Sequence, residues 1–176
     1  MNPRGRRGEH PVYGSGVDEL TIREAGEGDV ETLFELILEL AAYEKLREEV
    51  SGDVETLRHS LFVERTAEAL LAELGESAVG YAIFCGSFST FECKGGLWLE
   101  DIYVRPESRQ LGAGRALFAR VAAIALERGL TRLEWAALDW NELALDFYRG
   151  FGATRLDEWR MLRLDGDALA ALGGPS

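Results

Sequence analysis

The segment Arg109–Phe118, RQLGAGRALF, combines residue types that hold anions. Gly112 and Gly114 flank a single alanine, an arginine precedes them, and a helical pattern follows. The first N–H groups of a helix have no intrahelical partner and lie at the positive end of its dipole. Glycines also let the backbone approach a bound group closely. A strand, a glycine loop and a helix in this order therefore predict a phosphate-binding loop.

The charge around this loop is opposite to that of the whole chain. The net charge is −12, yet the segment from Arg105 to Arg120 holds four arginines and one acid, Glu107. The acidic total argues against non-specific nucleic-acid binding, although by itself it defines no ligand. The local positive charge favours a phosphate ligand over the alternative that the glycines serve only a tight turn.

Two familiar phosphate loops are excluded by the residues near the second glycine. A P-loop requires lysine and then serine or threonine, but Arg115 and Ala116 follow Gly114. A dinucleotide loop requires glycine or alanine where Leu117 stands, and it follows its strand directly. Here the strand ends at Val104, well before the glycines.

The elements that position this loop alternate between strand and helix patterns. Strands are predicted at 19–25, 68–74, 77–88, 95–104, 131–138 and 154–164, and helices at 28–46, 51–62, 114–129, 141–153 and, as a short turn, 165–172. This mixed α+β order, with antiparallel strands first, predicts an α/β protein. One domain over 18–176 is expected, after a basic leader at 1–17 that is predicted to be disordered.

The amino-acid composition is that of a globular protein. Hydrophobic residues make up 47% and charged residues 28% of 176 residues, as in soluble globular proteins. No apolar run is long enough to span a bilayer. Cys85 and Cys93 cannot form a disulfide framework, and no histidine or cysteine pair has metal-ligand spacing. We therefore expect a reduced, cytoplasmic protein with no metal, membrane or nucleic-acid partner.

Several short blocks, taken in order, resemble the GNAT acetyltransferases and, among them, the diamine (spermidine/spermine) acetyltransferases. VRPESRQLGAG resembles the family's R-x-x-G-x-G/A motif, and ELAAYE, LEDIYV, DWNE and DFYRGFGA occur at similar spacings. The resemblance covers residues 19–172. It implies a central mixed, mostly antiparallel sheet flanked by helices, acetyl-CoA as cosubstrate, a primary amine as acceptor and a homodimer. One departure is Gln110, where many members have glycine.

The resemblance assigns cofactor-binding residues to two neighbouring segments and one helix. The strand edge pairs with the pantetheine arm, the loop holds the pyrophosphate, and one asparagine contacts the cofactor. These residues are Ile102, Tyr103, Val104, Arg109, Gln110, Leu111, Gly112, Ala113, Gly114, Arg115 and Asn141.

The resemblance also assigns the catalytic residues. Tyr148 matches the general-acid position, and a phenol with a pKa of about 10 carries a proton at neutral pH that it can donate to a thiolate. Glu100 faces the amine, either as a base or as a binder of the cation, because a carboxylate with an ordinary pKa of about 4.3 is a poor base for an ammonium group. Asp101 is adjacent on the strand, so the two carboxylates are expected on opposite faces.

Substrate contacts are implied for Tyr43 and Glu44, which match a pair that lines the polyamine site. With Glu100 and Asp101 they offer anionic and aromatic contacts to a cation. The predicted substrate is a di- or polyamine, and the alternative is a lysine-like amino acid such as thialysine, for whose carboxylate we identify no clear partner. A non-catalytic acyl-CoA sensor is the alternative of another class.

Overall fold

A computed structural model describes residues 19–174, which contain an open five-stranded sheet in the order β1-β2-β3-β4-β5. The strands are β1 (Leu20–Glu24), β2 (Glu68–Leu74), β3 (Ser77–Ser89), β4 (Lys94–Val104) and β5 (Leu133–Trp135). Neighbouring strands from β1 to β4 are antiparallel, and β5 is parallel to β4. The mixed, mostly antiparallel sheet predicted from the sequence is confirmed.

Helices lie between these strands and after the last of them. They are α1 (Val30–Tyr43), α2 (Val54–Arg58), α3 (Ala113–Glu127), α4 (Glu142–Arg149) and α5 (Gly166–Gly173). A π-helical stretch, His59–Glu64, continues α2. Gly129 follows α3 with a φ of +69°. This left-handed conformation ends a helix at little cost for glycine.

The described residues fall into two compact units, one through Ala136 and one from Ala137 onward. The first unit holds the sheet and α1 to α3, and the second holds α4 and α5. A single domain over 18–176 stays a prediction. The predicted leader at 1–17 lies outside the described residues.

The core of the first unit joins α1 and the π-helical stretch to one face of the sheet. Its cluster comprises Leu33, Leu36, Leu61, Ala69, Leu71, Tyr81, Ile83 and Tyr103. Full burial of each large apolar side chain contributes about 1.5–3 kcal/mol. Alternation along β3 directs Ala82 and Phe84 to the other face, where α3 packs with its buried Leu117 and Val121.

A β-bulge interrupts the alternation of β4 at Glu100. Leu99 pairs with Phe84, whereas Asp101 pairs with Ile83, so two steps on β4 oppose one step on β3. A bulge leaves one residue without a cross-strand partner and redirects the side chains beyond it. Asp101 therefore lies on the α1 side of the sheet with Ile83, and Leu99 lies on the α3 side.

The prediction of a last strand at 154–164 is wrong. The structure has no strand there, and Trp159, Met161 and Leu162 are 71%, 67% and 91% exposed. An alternating pattern makes a strand only where a neighbouring strand receives its backbone hydrogen bonds. Within residues 19–174 no strand pairs with this segment.

Candidate active site

The glycine loop lies between β4 and α3, as the sequence predicted. A short 3-10 turn, Pro106–Ser108, follows β4, and α3 begins at Ala113. Gly112 has a φ of +89° and Gln110 a φ of +70°. Only glycine adopts this region without steric cost, so Gln110 takes a glycine conformation at a cost of about 1–2 kcal/mol. A Cβ at Gly112 would meet no atom within 4 Å, so conformation and not space favours glycine there.

The remaining loop residues surround the start of α3. Leu111 is 56% exposed, Ala113 is buried, and Gly114 and Arg115 belong to the first helical turn. The first-turn N–H groups of a helix this long are available to an anion, and the dipole favours negative charge there. The loop therefore has the donors that a pyrophosphate requires.

Arg109 connects the loop to β4 and to the end of α1. Its Nε donates a hydrogen bond to the Val104 carbonyl at 3.1 Å. Its guanidinium carbon lies 4.8 Å from the centroid of the Tyr43 ring, within the range of a cation–π contact. Tyr43 thus contacts the anion loop, and its predicted contact with the amine stays a prediction.

One edge of β4 is open next to this loop. β5 pairs with β4 only through Leu97–Leu99, and β3 occupies the opposite edge as far as Val104. Among the described residues, no strand pairs with the β5-side edge of segment 100–104. An extended chain with amide groups can bind such an edge as an added strand does. The predicted residues Ile102 and Tyr103 lie here, and their pairing with the pantetheine arm stays a prediction.

Two carboxylates act on the Asp101 carboxylate of β4: the adjacent Glu100, and Glu44, which follows α1. The Tyr81 hydroxyl donates a hydrogen bond to Asp101 Oδ2 at 3.3 Å. Burial raises the pKa of Glu44. Burial, and then the charges of Glu100 and Glu44, raise the pKa of Asp101 to about 6. We call these three residues the carboxylate cluster; its negative potential suits a cationic amine.

The bulge places Glu100 on the same face as Asp101. The exposed Glu100 carboxylate accepts a hydrogen bond from the Trp98 indole N–H at 2.8 Å, and Trp98 pairs with Cys85, on the Ile83 face of β3. Burial is the larger cause of the raised pKa of both Cys85 and Asp101, and the Glu100 charge raises both values further. The expectation that the two carboxylates lie on opposite faces is wrong, because it assumed regular alternation through a strand that contains a bulge.

Asn141 and Tyr148 belong to α4, in the second unit. Asn141 Oδ1 accepts a hydrogen bond from the Ala144 N–H at 3.2 Å and so caps the helix, which is a structural use of this residue. Tyr148 is buried, and its ring meets Phe147 edge-on at 5.2 Å between centroids. The predicted roles of Asn141 toward the cofactor and of Tyr148 as a proton donor stay predictions.

Sequence reasoning missed Tyr81. It stands in the apolar run SAVGYAIF, so it is read as a core residue, and it is fully buried. The available signal was chemical, because a buried tyrosine hydroxyl usually finds a hydrogen-bond partner. The identity of that partner depends on the β3–β4 register, which the sequence pattern does not specify.

Comparisons with known proteins identify the family. Residues 33–153 match the model of the acetyltransferase (GNAT) family. The chain belongs to the GNAT acetyltransferase family. A thialysine N-epsilon-acetyltransferase of Bos taurus is 41% identical over 165 residues, which cover 87% of this chain and 96% of that protein. A spermidine/spermine N(1)-acetyltransferase-like protein 1 of Homo sapiens is 27% identical over 164 residues, which cover 87% of this chain and 24% of that protein.

The GNAT fold also appears among solved structures. An integron cassette protein from Vibrio cholerae shares it with a TM-score of 0.74 at 22% identity, covering 89% of this chain and 98% of that chain. As a GNAT N-acetyltransferase, this protein uses acetyl-CoA as acetyl donor and an amine as acceptor. The predicted family is confirmed, whereas the expected preference for polyamines is not supported, since the thialysine enzyme is the more similar of the two relatives.

The structure adds two findings on ligands and location within residues 19–174. No group of three or more histidine, cysteine or acidic side chains there is arranged to hold a metal ion. None of the helices there combines the length and the apolar composition needed to cross a bilayer.

Proposed function

We propose that this GNAT enzyme acetylates the side-chain amine of a lysine-like amino acid such as thialysine. The carboxylate cluster beside the open edge of β4 supports a cationic amine as acceptor, and similarity to a known enzyme supports the choice of a lysine-like amino acid. Carboxylates from two elements are concentrated on the α1 side of the sheet and attract an ammonium group. The 41% identity to a thialysine acetyltransferase supports the substrate class.

Acetyl-CoA would be held by the loop and the strand edge. The N–H groups at the start of α3 bind the pyrophosphate, with Arg109 as the neighbouring cation. From Val104 to Glu100 the open edge extends roughly 13 Å, at about 3.3 Å per residue. A donor anchored at the loop and paired along this edge would reach the cluster with its thioester end.

Tyr148 would donate the proton to the departing thiolate. Support comes from its place in DFYRGFGA, which matches the family's general-acid position. A neutral phenol at physiological pH can supply this proton. In this proposal the carboxylate cluster holds the ammonium group, and the loop and edge hold the donor.

A polyamine is the second candidate, and the number of carboxylates in the cluster favours it. Glu44, Glu100 and Asp101 suit a substrate with several cationic groups and no acid. An amino acid brings its own carboxylate, which the cluster repels. A homodimer also stays a prediction.

The proposal is tested by thiol release from acetyl-CoA with thialysine, lysine, putrescine, spermidine, spermine and an aminoglycoside. We expect the highest kcat/KM with thialysine. Higher values with spermidine would assign the second candidate, and no thiol release with any amine would refute both. Glu44→Gln should raise KM for dicationic amines several-fold, whereas Glu76→Gln, at the exposed β2–β3 turn, should leave it unchanged.

A further inference from the structure

We propose that Asp101, and not Glu100, accepts the proton of the substrate ammonium group, and that Tyr81 positions Asp101 for this step. The inference rests on the proposed function, since it requires an amine bound at the carboxylate cluster. It goes further by giving the two adjacent carboxylates different tasks. Glu100 holds the cation, and Asp101 takes its proton.

The two carboxylates differ in how firmly the fold holds them. Asp101 is partly buried behind the bulge, paired with Ile83 and hydrogen-bonded to the Tyr81 hydroxyl. Tyr81 is itself fully buried on a central strand, so its hydroxyl is fixed in place. Glu100 is exposed and is already engaged by the indole N–H of Trp98. A partly buried carboxylate that a fixed hydroxyl holds in place suits proton transfer better than an exposed one.

The surroundings of Asp101 also make it a stronger base than an ordinary aspartate. Burial, and then the charges of Glu100 and Glu44, raise its pKa to about 6, against the opposing effect of the Tyr81 hydrogen bond. At neutral pH it remains mostly ionised, yet it binds a proton more readily than an exposed aspartate does. Burial and the Asp101 charge raise the pKa of Tyr81 well above its usual value, so Tyr81 donates its hydrogen bond and is not itself the base.

The proton balance of the reaction is complete with these residues. One N–H bond of the ammonium group breaks, its electron pair stays on nitrogen, and the proton forms an O–H bond on Asp101. The neutral amine forms a C–N bond to the acetyl carbon while the C–S bond breaks with its electron pair on sulfur. Tyr148 protonates that thiolate, as proposed above, and regains a proton from the acylated nitrogen through solvent. Asp101 then releases its proton, the single proton that the overall reaction produces.

The test compares kcat and KM of Asp101→Asn and Glu100→Gln from pH 6 to pH 10 with the amine that the wild type turns over best. Asp101→Asn should lower kcat at pH 7 by about 10²–10⁴-fold and change KM by only a few-fold. Its rate should rise about tenfold per pH unit toward the amine pKa, because only free amine then reacts. Glu100→Gln should raise KM and keep the flat wild-type profile between pH 7 and pH 9.

Tyr81→Phe provides a second readout that does not depend on the folding of Asp101→Asn. It removes the hydrogen bond that favours ionised Asp101, so the acidic limb of the kcat/KM profile should move to higher pH. If kcat of Asp101→Asn were as independent of pH as that of the wild type, Asp101 would not be the base. If instead kcat of Glu100→Gln rose steeply with pH, Glu100 would be the base. These failures require an active wild type, and thus differ from failure of the proposed function, in which the wild type acetylates no amine.

Discussion

The Asp101→Asn substitution should make the protein more stable at neutral pH while it impairs catalysis. Asparagine has nearly the same size, and its carbonyl oxygen can still accept the hydrogen bond of Tyr81. The substitution removes a charge that the fold holds in a partly buried position beside two other carboxylates. Replacing a residue that serves catalysis at the expense of stability is expected to raise stability and to lower activity.

The magnitude follows from the pKa of Asp101, which is raised from 3.8 to about 6. Each pH unit of difference corresponds to about 1.4 kcal/mol, so the ionised group destabilises the fold by at most about 3 kcal/mol. Because solvent still reaches part of the side chain, we expect about 2 kcal/mol. A group whose pKa is raised on folding destabilises the native state only where it ionises. The penalty is therefore absent below about pH 4, grows between pH 4 and pH 6, and is constant above.

The assay is urea unfolding of both proteins at pH 4 and pH 8. With an m-value of about 2 kcal/mol/M, Asp101→Asn should unfold at about 1 M higher urea at pH 8 and at the wild-type midpoint at pH 4. Glu76→Gln is the control for removing one exposed negative charge and should change stability by less than about 0.5 kcal/mol. A variant no more stable than the wild type at pH 8, or one equally stabilised at both pH values, would refute the reasoning.

Other predictions concern the loop, its contact with α1 and the proposed proton donor. Gly112→Ala and the control Gly129→Ala, both at positive φ, should each lower the free energy of unfolding in urea by about 1–2 kcal/mol. Only Gly112→Ala should also raise KM for acetyl-CoA. Equal KM values for the two variants would argue against acetyl-CoA binding at the loop. Tyr43→Ala should raise that KM about two- to fivefold by removing the contact with Arg109, and Tyr43→Phe should not. Tyr148→Phe should lower kcat at least about 100-fold with little change in KM, and an unchanged kcat would exclude it as the general acid.

Local rules were sufficient for the anion loop and for most elements around it. A helix pattern after a glycine-containing loop specifies where N–H donors collect, because the orphan donors of a helix always lie at its N-terminus. The loop and the start of α3 were therefore found where the sequence placed them. Gln110 shows the limit of the motif, since a non-glycine residue holds the left-handed conformation there.

The faces of β4 could not be predicted, because a bulge depends on the register of two strands distant in sequence. Tyr81 was missed for the same reason, because its hydrogen-bond partner Asp101 is known only when the register of β3 and β4 is known. In segment 154–164 the sequence pattern predicted a strand that the structure lacks, because no strand within residues 19–174 pairs with its alternating apolar residues.

The sequence by itself determined the family and the acetyl donor, because these follow from short motifs of adjacent residues. Only the tertiary structure decided that Glu100 and Asp101 share a face, that Glu44 joins them from the end of α1, and that Tyr43 contacts Arg109. Those relations join residues from separate elements, and the energies that set them act through space, independently of position along the chain.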